Sequence, residues 1–287
     1  MSVESKEVSS ALLTQPRFEI LPIRGAEEQA NHLPEGAKVA VTCSPAKGIE
    51  NTLRFSEGLL ERGFRVVPHI AARLVSGRAH LEKILRWFDE HSVWEIYVIG
   101  GDAKEAVGPY ASALEMLDAM SHLEHGVEEV GIGAYPEGHP LIDDEELDRA
   151  LLGKQPFASY MVTQLCFDAD VILDWISGVR RRGIELPVYV GLPGAVDRKK
   201  LLQVSLKVGV GDSVRFLKKQ AGLVGVLLKP GGYSPEELVE KLAPYAGDDN
   251  HDVVGLHLYT FNQVGSTEEW RRRMLGLEEA GDEGDRS

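Results

Sequence analysis

Short apolar runs alternate with longer amphipathic stretches along nearly the whole chain. Each run is hydrophobic at almost every position and rich in β-branched residues. The eight runs are Arg17–Ile23, Lys38–Ser44, Phe64–Ile70, Glu95–Gly101, Val130–Tyr135, Tyr160–Phe167, Pro187–Leu192 and Val253–Thr260. Strands that are buried on both faces need such continuous hydrophobicity, which is typical of a parallel sheet covered by helices.

The stretches between the runs have the pattern of helices. In Ala79–Glu90, for example, Leu81, Ile84, Leu85 and Phe88 fall on one stripe of a helix. The predicted helices are Ile49–Arg62, Ala79–Glu90, Pro109–Leu123, Asp144–Leu152, Ala169–Arg182, Asp197–Val208 and Ser234–Tyr245. Eight strands that alternate with helices predict a single-domain (β/α)8 TIM barrel, with room for an additional helix, Ser213–Gln220, between strands 7 and 8.

An open, doubly wound α/β sheet is the alternative, because one sequence does not reveal strand order. No shift in composition marks a second domain, so the barrel is predicted to span residues 17–276. Residues 1–16 are polar and rich in Ser and Glu, and we expect a flexible leader there. Residues 277–287 are acidic and contain Gly, which predicts a disordered tail.

Composition narrows the class of protein. A chain of 287 residues that is 43% hydrophobic can bury a large core. Its net charge of −14 argues against binding nucleic acid, which needs an excess of Lys and Arg to neutralise phosphates. With two cysteines, Cys43 and Cys166, a disulfide framework is not credible, and a reducing compartment is the simpler interpretation. Since the chain has neither a membrane-length apolar run nor the apolar core of a signal peptide, the predicted location is the cytoplasm.

Polar side chains recur at the carboxyl ends of successive runs. They are Glu19, Thr42, His69, Asp102, Tyr135, Glu137, His139, Gln164, Asp168, Tyr259, Thr260 and Asn262. In a parallel barrel all these ends meet at one face, where the chemistry is located. A polar group inside an apolar run costs free energy unless it has a partner or a use, so the recurrence predicts an active site.

Each candidate also has a purely structural interpretation. Glu19 is a surface carboxylate if its strand lies at an edge, Asp102 is a helix cap, and His69 is a core histidine bonded to the backbone. Glu137 and His139 indicate a metal pair only weakly, because no further ligand spacing accompanies them. No metal site is therefore predicted.

The Gly-rich segments and basic clusters carry little specific signal. Gly100-Gly101-Asp102 and Gly191–Gly194 do not form the GxGxxG dinucleotide motif, and no Walker loop is present. Arg180–Arg182, Arg198–Lys200 and Lys218-Lys219 are interpreted as solvated faces, any one of which can attract an anionic substrate tail.

A set of short motifs covers residues 17 to 262 in a fixed order. They are Phe18-Glu19, Val41-Thr42, Pro68-His69, Gly101-Asp102, the YPEGHP element at 135–140, Thr163–Leu165 with Phe167-Asp168, Pro187–Gly194, and His257–Asn262. Together they resemble the methylenetetrahydrofolate reductase family, and the YPEGHP and TQLxFD elements are the most specific.

That resemblance implies a barrel flavoenzyme that reduces 5,10-methylenetetrahydrofolate to 5-methyltetrahydrofolate with NADH or NADPH. By the family pattern, Glu19 is the general acid that protonates the folate nitrogen as the five-membered ring opens. Asp102 is the acid beside flavin and pterin that stabilises the cationic intermediate, and Gln164 contacts the pterin. These three residues make up the implied catalytic and substrate-binding set.

The resemblance also implies a set of residues around FAD or FMN. Positions that match flavin-contacting residues of the family are Thr42, His69, Gly101, Asp102, Tyr135 and His139, and Lys154 matches a lysine that contacts a phosphate. In such an enzyme the protein supplies orientation and electrostatics, while the cofactor carries the hydride.

Several positions depart from the family pattern, mostly where flavin contacts are expected. Gly100 replaces an arginine before Gly101, and Cys43-Ser44-Pro45 replaces an aromatic residue followed by Gly-Ala. Lys154–Ser159 replaces Lys-x-x-x-Gly-Ala, and its Pro156 is unfavourable in a helix. These changes resemble a divergent, actinobacterial-like branch, some members of which work as monomers without bound flavin. A monomer and a homo-oligomer are both compatible with the sequence.

Three functions are therefore compared. The first is a folate-dependent oxidoreductase that uses NADH or NADPH, through a flavin or by direct hydride transfer. The second is a folate-binding partner subunit or one-carbon transferase without redox activity. The third is a deazaflavin-dependent relative.

Overall fold

Eight parallel strands close into a barrel in the computed structural model, which describes residues 11–139, 141–197 and 235–277. The strands follow one another around the barrel in chain order, and the first pairs with the last. They are β1 (Arg17–Ile20), β2 (Lys38–Val41), β3 (Arg65–Ala71), β4 (Glu95–Ile99), β5 (Glu129–Ala134), β6 (Tyr160–Thr163), β7 (Val188–Pro193) and β8 (Val253–Tyr259). The predicted (β/α)8 barrel is confirmed, and the open doubly wound sheet is excluded by the pairing of β1 with β8.

Helices connect the strands on the outside. They are α1 (Ala26–Gln29), α2 (Ile49–Leu60), α3 (Arg78–Glu90), α4 (Ala113–Ser121), α5 (Asp144–Lys154), α6 (Ala169–Arg181), α7 (Glu236–Leu242) and α8 (Val264–Met274), with 3-10 turns at Ala30–His32, Ala72–Leu74, Gln155–Phe157 and Ala243–Tyr245. The helices α1 and α8 were not predicted. The predicted helix Ser213–Gln220, and Asp197–Val208 apart from Asp197, lie outside the described residues.

The register of the strands decides which side chains fill the barrel. Because paired residues of parallel strands point to the same face, Glu19, Ala40 and Val67 share one face along β1 to β3. His69, Tyr97 and Gly131 continue that face along β3 to β5. This face is the inside, since Val67, Tyr97, Tyr160 and Val162 form one buried cluster although they come from different strands. The alternate residues, such as Phe18 and Ile20, pack against the helices.

Glycines on the inner face make room for tyrosines on neighbouring strands. A Cβ atom at Gly131 would overlap the ring of Tyr160, and one at Gly255 would lie 2.8 Å from the ring of Tyr189. Such a distance is well inside van der Waals contact, so these strands need residues without side chains opposite the rings. The interior is therefore packed and is not a pore.

A buried ion cluster closes the floor of the barrel, at the amino ends of the strands. Arg17 donates from Nη2 to Glu95 Oε1 at 2.6 Å, and Lys38 pairs with Glu95 Oε2. The Arg17 guanidinium lies over the rings of Tyr160 and Tyr189, 4.1 Å and 3.3 Å from their centroids. Burial alone would raise the pKa of Glu95, but the two cations outweigh it and lower that pKa.

Residues 11–16, which were assigned to the leader, pack against the barrel. Residues 11–14 are helical, and Leu12 and Leu13 are buried. Arg271 of α8 donates to the Leu13 carbonyl oxygen at 2.8 Å while its guanidinium also pairs with Glu268. These contacts correct the expectation that the leader is free of the barrel up to residue 16. The limits 17–276 and 277–287 stay predictions.

None of the described helices combines the length and the apolar character that crossing a bilayer requires.

Candidate active site

Glu19 is a buried acid in β1, near the carboxyl end of the barrel. Its residue is 9% exposed, and its Oε2 lies 3.2 Å from Nε2 of His257 in β8. The hydroxyl of Thr260 donates to the Glu19 carbonyl oxygen at 2.6 Å and fixes the backbone. A closed barrel has no edge strand, so the interpretation of Glu19 as a surface carboxylate is wrong.

A cluster of neutral rings surrounds this carboxyl. His69 of β3 packs on Tyr97 of β4, with ring centroids 4.5 Å apart, and lies 6.3 Å from the ring of His257. Burial lowers the pKa of His69 to about 4, even though Glu19 opposes the shift. Burial raises the pKa of Tyr97 and of Tyr259, and the nearby Glu19 adds to both shifts. All three rings are therefore uncharged at neutral pH, and His69 is a core histidine whose Nε2 has no partner among the described residues.

Asp102 lies on the loop after β4, beside the rings of Tyr135 and His139. Those rings meet edge to face, 5.2 Å between centroids. Burial, and then the charge of Asp102, raise the pKa of Tyr135, whereas burial lowers the pKa of His139 against the pull of Asp102. The helix-cap interpretation of Asp102 is wrong, because Ser112 caps α4 by accepting from the backbone N–H of Glu115 at 3.3 Å.

Gln164 follows β6 and is held by backbone bonds on both sides. Its N–H donates to the Ala134 carbonyl oxygen at 2.7 Å, and its Oε1 accepts from the N–H of Leu165 at 2.8 Å. Tyr259 donates from its hydroxyl to the Thr163 carbonyl oxygen at 3.0 Å, one residue away. The side-chain amide N–H groups of Gln164 have no partner in the described part of the chain, so they are available to an acceptor on a ligand.

The other predicted cofactor contacts occupy different places. Thr42 follows β2 and is half-buried, with its N–H bonded to the Ile20 carbonyl oxygen at 3.0 Å. Gly101 has φ +90°, and a Cβ there would lie 2.8 Å from Cβ of Ala71, so a backbone requirement explains this glycine.

Lys154 is the last residue of α5, and a 3-10 turn that contains Pro156 follows it. Its ammonium lies 3.4 Å from the Gly133 carbonyl oxygen, and burial lowers the pKa of Lys154 to about 8. No acidic side chain pairs with it among the described residues. An ammonium without a counter-ion is suited to an anion.

These groups form one connected surface. Tyr135 and Glu19 both influence the pKa of Tyr97, and Asp102 influences the pKa of Tyr135. A Cβ at Gly133 would lie 3.4 Å and 3.5 Å from the hydroxyl oxygens of Tyr97 and Tyr135. Tyr97 and Tyr135 therefore lie between Glu19 and Asp102. Tyr259 lies between Glu19 and Gln164.

Two residues of this surface were not predicted as site residues. Tyr97 lies in the middle of an apolar run, and His257 was noted only as part of a motif. Their signal was period-two spacing, because His257 lies two residues before Tyr259 and therefore on the same face of β8. Within 11–139, 141–197 and 235–277, no three potential metal ligands come together.

Comparison with known proteins gives one family. The profile of the family described as methylenetetrahydrofolate reductase matches residues 35–208, more than half of the chain. Methylenetetrahydrofolate reductase 1 of Schizosaccharomyces pombe is 34% identical over 65 residues, which are 22% of this chain and 11% of that protein. Methylenetetrahydrofolate reductase 2 of Saccharomyces cerevisiae is 27% identical over 143 residues, 46% of this chain and 22% of that protein. Methylenetetrahydrofolate reductase (NADH) 1 of Arabidopsis thaliana is 23% identical over 172 residues, 54% of this chain and 28% of that protein. The matched stretches thus span well under a third of these relatives.

Proposed function

We propose that this chain, which belongs to the methylenetetrahydrofolate reductase family, is an oxidoreductase. Its proposed reaction is the reduction of 5,10-methylenetetrahydrofolate to 5-methyltetrahydrofolate with NADH or NADPH. The observation that carries the proposal is the buried carboxyl of Glu19 at the active end of the barrel, in one connected surface with Asp102 and Gln164. We also propose that the enzyme works in the cytoplasm, as a monomer or a homo-oligomer.

Glu19 is the proposed general acid. Opening the five-membered ring of the substrate breaks a carbon–nitrogen bond, and the leaving nitrogen needs a proton. A positioned carboxyl that supplies this proton accelerates such a step by about 10²- to 10⁴-fold. Opening of the ring leaves an iminium cation. A hydride added to the carbon of this iminium gives the methyl group.

Asp102 and Gln164 are the proposed partners of the pterin. Asp102 is exposed on its loop, so its charge faces an incoming ligand and can stabilise the iminium cation. Gln164 keeps its side-chain oxygen on the Leu165 N–H and offers its amide N–H groups to acceptors on the ring edge. Both roles use atoms that the fold leaves available.

A flavin is the proposed cofactor by resemblance to the family, and several described residues fit it. His69 has a buried Nε2 without a partner, and the ammonium of Lys154 has no acidic counter-ion among the described residues. The residues that would hold a flavin are Thr42, His69, Gly101, Asp102, Tyr135, His139 and Lys154. When bound, flavin would relay a hydride from NADH or NADPH to the folate.

The substitution Glu19→Gln tests the proposed function. We expect it to reduce oxidation of NADH or NADPH with methylenetetrahydrofolate by at least about 10²-fold, because the amide cannot donate the proton. Glu28→Gln on the exposed face of α1 is the matched control and should retain full turnover. Circular dichroism checks that both variants are folded. Near-normal turnover of Glu19→Gln would refute the proton-donor role.

The same assay separates the alternatives. A folate-binding subunit or one-carbon transferase would bind reduced folate without oxidising pyridine nucleotide, and a deazaflavin-dependent relative would be active only with reduced deazaflavin. An absorbance scan of the purified protein distinguishes the two hydride routes. Yellow protein that releases flavin on denaturation supports the relay, and colourless, fully active protein supports direct transfer.

A further inference from the structure

His257 is the closest polar neighbour of the Glu19 carboxyl, and nothing above gives it a role. It lies in β8 with 2% of its surface exposed, and its Nε2 is 3.2 Å from Glu19 Oε2. Its other ring nitrogen, Nδ1, is buried and has no hydrogen-bond partner among the described residues. The imidazole is therefore engaged on one side only.

This one-sided contact determines where the ring carries its proton. A proton on Nδ1, in the imidazolium or in the Nδ1–H tautomer, would be a buried donor without an acceptor. Leaving such a donor unsatisfied costs about 1–3 kcal/mol. The neutral ring with its proton on Nε2 buries no unpaired N–H, since Nδ1 is then an acceptor, and Nε2–H can donate to Glu19 Oε2.

Titratable and charged side chains face His257 from several strands. Side chains that face His257 come from β1, β3, β4 and β8, and they are Arg17, Glu19, His69, Tyr97 and Tyr259. His69 and the two tyrosines are uncharged at neutral pH, as shown above. Arg17 is the register partner of His257 on β1 and is a permanent cation, and its guanidinium is paired with Glu95. The neighbour on β7 is Gly191, which adds no side chain.

We propose that His257 is a positioning residue, which holds Oε2 of Glu19 through its Nε2–H and so makes Oε1 the oxygen that carries and donates the proton. No other hydrogen bond to Oε2 or Oε1 is found within the described residues, so Oε1 is left for substrate. Because Glu19 is a proton donor only under the proposed function, this role of His257 rests on that function.

The contact also strengthens as the reaction proceeds. When Oε1 gives its proton to the folate nitrogen, the carboxyl becomes a carboxylate, and the bond from Nε2–H becomes charge-assisted. An interaction that is stronger in the transition state than in the ground state raises kcat and leaves KM nearly unchanged. His257 therefore acts on turnover through Glu19 without touching the folate.

His257→Leu and His257→Gln test the role together. Leucine removes the donor at similar volume, and we expect kcat to fall about 10- to 100-fold with KM for the folate within about threefold. The alkaline limb of the kcat profile should move to higher pH, because the carboxylate loses its donor. Glutamine carries an N–H that can reach Oε2. His257→Gln should therefore restore part of kcat and move the alkaline limb of the kcat profile part of the way back towards its wild-type pH. His91→Gln, a change outside the barrel at the residue that follows α3, should behave as wild type.

A merely structural role gives a different pattern. Equal losses in His257→Leu and His257→Gln with an unmoved alkaline limb would overturn the proposal, and so would unchanged kcat in a folded His257→Leu protein. Thermal unfolding of each variant shows whether it is folded.

An infrared titration of the resting protein separates this proposal from the proposed function. The carboxylic C=O stretch that disappears in Glu19→Gln belongs to Glu19, and the pH at which this band is half lost is measured in each variant. We expect that midpoint to be higher in His257→Leu than in wild type, with His257→Gln between them. We expect this order of midpoints even if the protein oxidises no NADH. In that case only the proposed function fails. Identical midpoints in an active enzyme would refute the role of His257.

Discussion

At the level of single residues, the active end of the barrel combines two acids with a set of uncharged rings. Burial keeps His69 neutral, since its pKa is lowered to about 4, and keeps Tyr97, Tyr135 and Tyr259 protonated. Beside these rings, the acids of this end are Glu19 and Asp102, and its cation is the ammonium of Lys154. Glu19 is buried whereas Asp102 is exposed, so water screens an interaction of Glu19 with a ligand less than one of Asp102.

The charge of Asp102 gives a prediction that does not depend on turnover. Asp102 raises the pKa of His139 against the effect of burial, so Asp102→Asn should lower the pKa of His139 further. The change is measured from the ring proton shifts of His139 during an NMR titration. Asp168→Asn is the control, because Asp168 caps α6 through the N–H of Asp170 and does not influence His139. An unchanged titration of His139 in Asp102→Asn would place the two groups out of electrostatic reach.

The acids of the candidate site can be proposed from the sequence more directly than its rings. Glu19 was recognisable because a carboxylate inside an apolar run needs an explanation. Tyr97 and His257 were missed because tyrosine and histidine are ordinary in a strand, and only the register shows that they face Glu19. The alternative of Asp102 as a helix cap fails because the loop after β4 extends to Ser112, which caps α4.

At the level of elements, the apolar runs predicted every strand, although several strands are shorter than the runs. β2 ends at Val41 and β6 at Thr163, so Thr42 and Gln164 are the first residues beyond the ladder. The helix α8 was missed because its sequence is mostly polar and shows no apolar stripe. It is buried through Trp270 and through the paired side chains of Glu268 and Arg271, a contact that hydrophobic patterning does not detect.

The inner glycines give a prediction at this level. Gly131→Ala should reduce the free energy of unfolding by about 1–3 kcal/mol, because the new methyl group would overlap the buried ring of Tyr160. Gly58→Ala, on the exposed side of α2 with nothing within 4 Å of its Cβ, should instead stabilise by about 0.5–1 kcal/mol. Urea unfolding of the two variants measures both effects. Equal behaviour of the two would show that the interior of the barrel can relax around Tyr160.

At the level of the whole molecule, each end of the barrel has a different electrostatic character. Strand β1 contributes to both ends, because Arg17 and Glu19 are two residues apart and point to the same face. At the floor, the charges of Arg17, Lys38 and Glu95 are paired with one another inside the protein. At the opposite end, the ring of His257 is the hydrogen-bond partner of the Glu19 carboxyl within the described residues. The floor therefore serves stability, and the opposite end has a carboxyl oxygen, Oε1, without a hydrogen-bond partner in that part of the chain.

The floor cluster predicts an acid-dependent loss of stability. Arg17 and Lys38 lower the pKa of Glu95 in the folded protein below its ordinary value of 4.5. The contribution of Glu95 is thus fully present above about pH 4.5 and is lost as the pH falls through the lowered pKa. Glu95→Gln should reduce the free energy of unfolding at pH 7 by roughly 3–5 kcal/mol, because it leaves the buried Arg17 and the half-buried Lys38 without their partner.

The same substitution should flatten the dependence of stability on pH between 7 and 3, which urea unfolding at several pH values measures. Glu129→Gln is the matched control, since Glu129 is the exposed register partner of Glu95 on β5. It should change stability by no more than about 0.5 kcal/mol at pH 7. An equally steep acid dependence in Glu95→Gln and wild type would mean that other carboxylates control acid unfolding. In that case the pairing of charges at the floor would not be what holds β1, β2 and β4 together.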